Sequence, residues 1–236
     1  MKKILFLSLF IVGLVIFCYP FVNGFVSEVQ MEQSIETFNL QRQESEESDA
    51  AIEKSSIELL REEMEAYNEQ IYQNKQAELV DPFSYEQSSF DLRKYGFADN
   101  LIGYVTIPKM EIELPIYLGA NPDNLEKGAV HLSQTSLPLG GENRNTVIAA
   151  HRGWRGKTLF KNINRLTYGD EISITNLWET ITYEVVDIEI VWPDEIDKVL
   201  IQDGRDLVTL MTCHPYGKNS QRYLVYLERV EKTRTD

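Results

Sequence analysis

The chain opens on an uncharged apolar run. After Lys2 and Lys3, no charged residue occurs from Ile4 to Ser27 (ILFLSLFIVGLVIFCYPFVNGFVS). That is long enough to cross a hydrocarbon core as a helix, although Pro20 lies near its outer end. The two lysines favour a cytoplasmic N-terminus and put everything after about Glu28 outside the cell. A cleaved signal peptide is the rival reading. No A-x-A-like site follows the run, so a retained anchor over residues 1–26 is expected. Residues 27–49 are rich in Glu, Gln and Ser and read as a solvated acidic spacer. Ser48 or Asp49 offers an N-cap, and the pattern then changes. Ile57, Leu60, Met64, Tyr67 and Ile71 recur at helical spacing, predicting a helix over residues 50–78 with one apolar stripe. The stripe is too short for a stable coiled coil, so docking on the chain's own domain is expected. Asp81-Pro82-Phe83 ends the helix, because proline biases the preceding residue away from helical backbone.

From about Phe90 the period becomes two. Met110, Ile112, Leu114 and Ile116 alternate with Glu111, Glu113 and Pro115; Val186, Ile188, Ile190 and Trp192 alternate with Asp187 and Glu189. Further strands are expected at Tyr104–Ile107, Thr146–Ala150, Glu171–Thr175, Leu207–Thr212 and Tyr223–Glu228, all rich in Val, Ile, Thr or Tyr. Many short strands, with a short helix around Thr158–Leu166, predict an all-β-dominated barrel or sandwich over residues 91–236. Residues 50–90 then form a separate N-terminal helix and connecting segment. The sequence closes on VEKTRTD after Glu228, without a second apolar run.

Charge sharpens this division. The net charge is −14, and residues 27–90 alone hold 16 Asp and Glu against 4 Lys and Arg. Such an acid balance excludes nucleic acid as a partner, since phosphate binding needs a basic face. Of the two cysteines, Cys18 lies in the apolar run and Cys213 in the β-rich part. A disulfide between them would have to join membrane to soluble domain. An exported domain that keeps one thiol keeps an oxidation liability, which makes a reactive role a serious reading of Cys213.

Three residues of chemical interest fall at strand ends. His151 follows TVIAA, Cys213 follows LVTLMT, and Arg222 precedes YLVYL; the last two flank the loop HPYGKNSQ. If the flanking strands pair, thiol and guanidinium meet at one rim of the sheet. A thiolate is the working nucleophile, and a nearby cation favours it. A guanidinium stabilises the oxyanion of an attacked carbonyl without losing its own charge. Histidine is the side chain suited to protonate a leaving amine near neutral pH.

The words around these residues carry more than their spacing. TVIAAHRG, TLMTCHPYG and an Arg nine residues after the Cys closely resemble the sortase family, in which a TLxTC strand, a His segment and a following Arg form the active site. The further match of AVHLSQTSLPLGG, TCHPYGKNSQR and an upstream Asp-Pro-aromatic is similar to the class C, pilin-polymerising subgroup. The resemblance covers roughly residues 81–230. It implies a closed, eight-stranded β-barrel, no metal and no cofactor. It also implies Cys213 as nucleophile, His151 as acid/base and Arg222 as oxyanion-side cation. Asp81 and Phe83 match a lid over the thiol, and His131 and Thr212 are candidates for a substrate groove. The implied reaction cleaves an LPxTG-like sorting motif between Thr and Gly and passes the acyl group to an amine. The implied partners are pilin subunits or other surface proteins with a C-terminal sorting motif, and cell-wall precursor peptide. The implied place is a Gram-positive cell membrane, crossed once. The subgroup usually carries a second hydrophobic segment after the barrel, which this sequence does not show.

Competing readings are concrete. Cys213 as an inert strand cysteine, His151 as a structural histidine and Arg222 as an ion-paired surface residue are the defaults for such residues in isolation. His214 adjoins Cys213 and points to the opposite face of a continuing strand, so it makes a poor base. No CxxC or HxxxH spacing suggests a metal. A wall-anchoring sortase, a hydrolytic cysteine protease and a non-enzymatic scaffold tethered through the acidic helix remain the functional alternatives.

Overall fold

The computed structural model describes residues 2–47, 51–79, 90–97 and 99–230. Among them, eight strands close into a barrel: β1 (Leu101–Ile107), β2 (Ile112–Leu118), β3 (Ala129–His131), β4 (Arg144–Ala149), β5 (Glu171–Thr175), β6 (Thr180–Val191), β7 (Asp206–His214) and β8 (Gln221–Arg229). Their order around the barrel is β1-β2-β3-β4-β7-β8-β6-β5. Two neighbour pairs, β2–β3 and β4–β7, run parallel; the other six are antiparallel. Seven strands lie where alternation or a content of Val, Ile, Thr and Tyr predicts them. The eighth, β3, has only three residues, too few to leave a period in the sequence.

Val105, Ile116, Ile148, Leu210 and Val225 fill the barrel interior. A second cluster, including Leu132, Val147, Ala149, Met211 and Leu224, covers the outer face of the β4–β7–β8 wall. Strand β4 is therefore buried on both faces, which is why it reads as the unbroken apolar run TVIAA rather than an alternation. The alternation in β6 misleads in a different way. A bulge between Val185 and Asp187 adds a residue to one side of the ladder and exchanges the faces beyond it. Val191 is consequently buried, while Ile190 and Trp192 are exposed. Where a short helix is expected near Thr158–Leu166, only a 3-10 turn forms at Ile163–Arg165.

The N-terminal part departs most from expectation. Helix α1 runs without a break from Lys2 to Glu47, so residues 27–47 are not a solvated spacer. Gly24, Ser27, Met31, Ile35 and Phe38 are buried at steps of three and four residues, one stripe along the helix. Gly24 meets the Gly156 backbone, and the helix beyond it lies against β1 and β2, with Phe38 edge-on to Tyr104 at 6.1 Å and Tyr117 donating to Ser34 at 3.3 Å. Each apolar side chain buried here contributes roughly 1.5–3 kcal/mol, enough together to hold an acidic helix on the barrel. The first part of α1 is long and apolar enough to cross a membrane, and none of it is buried.

Helix α2 (Ala51–Gln73) docks on the barrel as its stripe predicts, through Leu60, Met64 and Ile71. Its buried Asn68 accepts from the Leu137 amide at 2.7 Å and donates to the Leu137 carbonyl at 3.2 Å, pairing a loop strand that has no ladder partner. Asp81 and Phe83 lie outside the described residues.

Candidate active site

Parallel pairing of β4 with β7 brings the C-terminal ends of both strands to one rim of the barrel. The ladder runs from Arg144↔Asp206 to Ala149↔Met211. It continues as the Ala150 amide donates to the Met211 carbonyl at 3.2 Å, and the Thr212 hydroxyl donates to the Ala150 carbonyl at 2.7 Å. The next residues along are His151 and Cys213. On the other side, antiparallel β8 places Arg222 directly opposite Cys213. Directly opposed residues share a face, with Cβ atoms about 5 Å apart. The three residues singled out in the sequence thus meet at one rim, on adjacent strand ends.

Each is held by its surroundings. His151 stacks on the indole of Trp154, with centroids 4.6 Å apart and planes at 16°. Its carbonyl accepts from the amides of Gly153 at 2.8 Å and Phe160 at 3.0 Å, which folds the following loop back under it. Burial pushes the His151 pKa down; Glu126 opposes this and Lys157 adds to it. The neutral imidazole is therefore favoured at neutral pH. Arg222 is 6% exposed, and its Nη1 donates to the carbonyls of Asn219 and Gln221, both at 3.1 Å. These bonds tie the guanidinium to its own loop and fix its direction. Cys213 and His151 line an open pocket of about 420 Å³ together with Glu126, Trp154 and Lys218. Arg222 also lines an apolar crevice formed by Leu132, Ile196, Val199, Met211 and Leu224. The thiol therefore borders an open pocket, and the guanidinium a narrow apolar crevice.

Arg152 is a residue the sequence reading passed over. Its Nη1 donates to His214 Nδ1 at 2.7 Å and to the Cys213 carbonyl at 3.4 Å, and its guanidinium lies 5.2 Å from the Tyr223 ring centre. His214 Nδ1 is thereby an acceptor, and burial and Arg152 both lower the pKa of that ring. This is consistent with its exclusion as a base. Trp154 was also passed over. The HRGW word contains both residues, but nothing in it reveals that the partners of Arg152 stand on β7 and β8, or that Trp154 folds back onto His151.

The two groove candidates are interior residues. His131 is fully buried; its Nε2 lies 3.0 Å from the Ser136 carbonyl and 3.2 Å from the Thr135 carbonyl. Burial holds its pKa down at about 4, so it is a neutral brace for the loop after β3. With no exposed surface it lines no groove. Thr212 is equally buried, and its role is the register bond described above. Among the described residues no group of three or more His, Cys, Asp or Glu is placed to hold a metal ion.

A sequence model of the sortase domain matches residues 105–230. Sortase D of Bacillus subtilis is 34% identical over 131 residues, which cover 54% of this chain and 63% of that protein. Sortase A of Bacillus anthracis is 26% identical over 227 residues, 94% of this chain and 91% of that one. Among solved structures, sortase C1 of GBS pilus island 1 superposes with a TM-score of 0.73 at 32% identity, covering 87% of this chain and 95% of its own. Sortase C of Streptococcus pneumoniae gives 0.71 at 35% identity, covering 84% and 97%. The domain match contains His151, Cys213 and Arg222, and the likeness in structure takes in most of the chain. With the barrel order and the rim in place, these matches establish that the chain belongs to the sortase family and is built on the plan of its class C enzymes.

Proposed function

We propose that this chain is a membrane-anchored cysteine transpeptidase that joins pilin subunits. The observation that carries the reading is the rim: Cys213 directly opposite Arg222, with His151 and Cys213 each two residues beyond the last β4–β7 pair, Ala149↔Met211. In the first half-reaction, Cys213 Sγ attacks the Thr carbonyl carbon of an LPxTG-like motif. The C–N bond to Gly breaks, the leaving amine takes a proton through His151, and a thioester remains. In the second half, an amine attacks the thioester carbonyl, the C–S bond breaks and the thiol is restored. Arg222 faces the oxyanion of both tetrahedral intermediates. The open pocket lined by Cys213 and His151 leaves room for the motif's backbone and an approach for the amine. Anchoring by residues 1–26, with the barrel of residues 91–236 outside the cell, follows the charge pattern at the N-terminus. Asp81 and Phe83 are proposed as a lid over the thiol.

The solved relatives include pilus sortases, which favours a pilin lysine as acceptor. Several curated relatives are sortases A, which supports a cell-wall peptide amine as the second reading. One assay separates them: mass spectrometry of the adduct and product formed from the full chain, a sorting peptide and each amine. A covalent peptide adduct on Cys213 is expected, absent in Cys213→Ala and reduced at least about tenfold in Arg222→Lys, where a point charge replaces a planar fork. Asp81→Ala with Phe83→Ala is expected to speed adduct formation. An adduct retained in Cys213→Ala overturns the assignment.

A further inference from the structure

Helix α1 carries the active rim to a defined height. Twenty residues counted from Ile4 reach Asn23, which is about 30 Å of helix and one hydrocarbon thickness. At that level α1 touches the loop that follows His151. Asn23 Nδ2 donates to the Arg155 carbonyl at 2.7 Å. A Cβ on Gly24 would lie 2.7 Å from the Gly156 carbonyl oxygen, and one on Gly156, whose φ is +92°, would lie 2.1 Å from the Pro20 carbonyl oxygen. From there the helix climbs away along β2 and β1 to Tyr117 and Tyr104. The barrel thus stands with its catalytic rim at the outer end of the apolar segment.

The surface at that end differs from the rest of the chain. In a protein of net charge −14, residues 151–169 carry Arg152, Arg155, Lys157, Lys161 and Arg165 and no carboxylate. The loop after Cys213 adds Lys218, also without a carboxylate. Arg155 and Lys161 are exposed, as is Tyr216 at 59%. Arg155 lies over the Trp154 ring at 5.1 Å, and Lys161 over Tyr216 at 5.9 Å. The carboxylates that face this surface are Glu126, 3.4 Å from Arg155, Glu28, in the crevice shared with Lys161, and Asp123, in a pocket with Lys157, with Glu32 and Glu36 beside Thr158 and Leu159. They leave the cations in excess. Exposed Lys and Arg beside the half-buried Trp154 and the exposed Tyr216, at the end of a membrane-length helix, are the composition of a surface seated in a headgroup layer.

We infer that the catalytic rim docks on the outer leaflet through Arg155, Lys161, Lys218, Trp154 and Tyr216, which bind anionic phospholipid headgroups. This rests on the membrane-anchor reading above. A peptide emerging from the bilayer then reaches Cys213 while still at the surface.

The test uses the full chain in vesicles of phosphatidylcholine, with or without one-third phosphatidylglycerol, each containing a nitroxide-headgroup lipid as quencher. Trp178→Phe with Trp192→Phe leaves Trp154 as reporter. Trp154→Phe with Trp192→Phe leaves Trp178, which precedes β6 at the opposite end of the barrel from Arg222. Trp154 is expected to be quenched at least about twofold more than Trp178, more strongly with phosphatidylglycerol, and less after Lys161→Glu with Lys218→Glu. In the unaltered chain, trypsin cleavage after Arg155, Lys161 and Lys218 is expected to slow by about fivefold or more on anionic vesicles, with cleavage after Arg61 unchanged. A chain that floats with the vesicles but shows equal quenching of the two reporters overturns this inference and leaves the anchor standing. Quenching and cleavage indifferent to lipid charge overturn the headgroup assignment. A chain that fails to float overturns both.

Discussion

His131 and Thr212 sit on the inner side of the rim, where polar side chains survive burial only by serving the backbone. Thr212 spends its hydroxyl on the Ala150 carbonyl and so sets the rung on which Cys213 meets His151. His131 presents Nε2 to two carbonyls and leaves Nδ1 buried without a hydrogen-bond partner. A proton added at Nδ1 would be a buried charge with no acceptor, which is the cause of its depressed pKa. The sign of the linkage follows. The unfolded chain takes up the proton near pH 6.5 and the folded chain only near 4. The stability from His131 is therefore complete above pH 6.5 and is lost as pH falls toward 4, by on the order of 3 kcal/mol. Chemical denaturation of the native chain and of His131→Gln across that range checks this: the gap between them is expected to shrink as pH falls. Cys213, His151 and Arg222 were legible because each stands inside a recognisable word of sequence. The work of Arg152 was not, because its partners Cys213 and His214 are distant along the chain; that of His131 and Trp154 was not, because their near neighbours Ser136 and His151 meet them only through turns the sequence does not spell out.

Among the elements, α2, β2 and β6 announce themselves by period, and five further strands by their content of Val, Ile, Thr and Tyr. The second half of α1 does not. Its apolar stripe has only Met31, Ile35 and Phe38 between Gly and Ser contacts, and the surrounding glutamates dominate any average. Small residues are chosen at its lower end because backbone meets backbone at Gly24 and Gly156, and the hydrophobic signal is correspondingly weak. Phe38 is its largest buried side chain, 1% exposed against Tyr104. Phe38→Ala is expected to cost about 3 kcal/mol, from lost burial and the cavity left behind. Thermal unfolding of the full chain in vesicles measures it. A shift no larger than that of an exposed control such as Leu40→Ala would mean the helix is not docked in solution. The face exchange in β6 was illegible for another reason, since the bulge that causes it is a property of the ladder with β8 rather than of β6 alone.

For the molecule as a whole, the decisive feature is the parallel pairing of β4 and β7, about sixty residues apart in sequence. No local pattern encodes such a pairing; the continuous apolar runs of both strands say only that each is buried on two faces. Composition did indicate that charge is divided between an acidic N-terminal part and a nearly balanced barrel, but not that the barrel's cations gather at one end. The unbroken helix from Lys2 to Glu47 has a mechanical consequence. It is a screw, and the number of residues between Gly24 and Met31 sets both the compass bearing of the barrel around the anchor and its altitude above the bilayer. One residue inserted after Val29 turns the upper contacts by ~100° relative to the lower and lifts them by 1.5 Å. Seven residues return the bearing to within ~20° but raise the barrel by ~10.5 Å. The single insertion is expected to lower thermal stability about as much as Phe38→Ala. The seven-residue insertion is expected to restore the Met31, Ile35 and Phe38 part of it, the Asn23 and Gly24 contacts staying broken, while abolishing the quenching of Trp154 by headgroup nitroxides. Bearing can be recovered by completing turns of the screw; altitude, once changed, cannot.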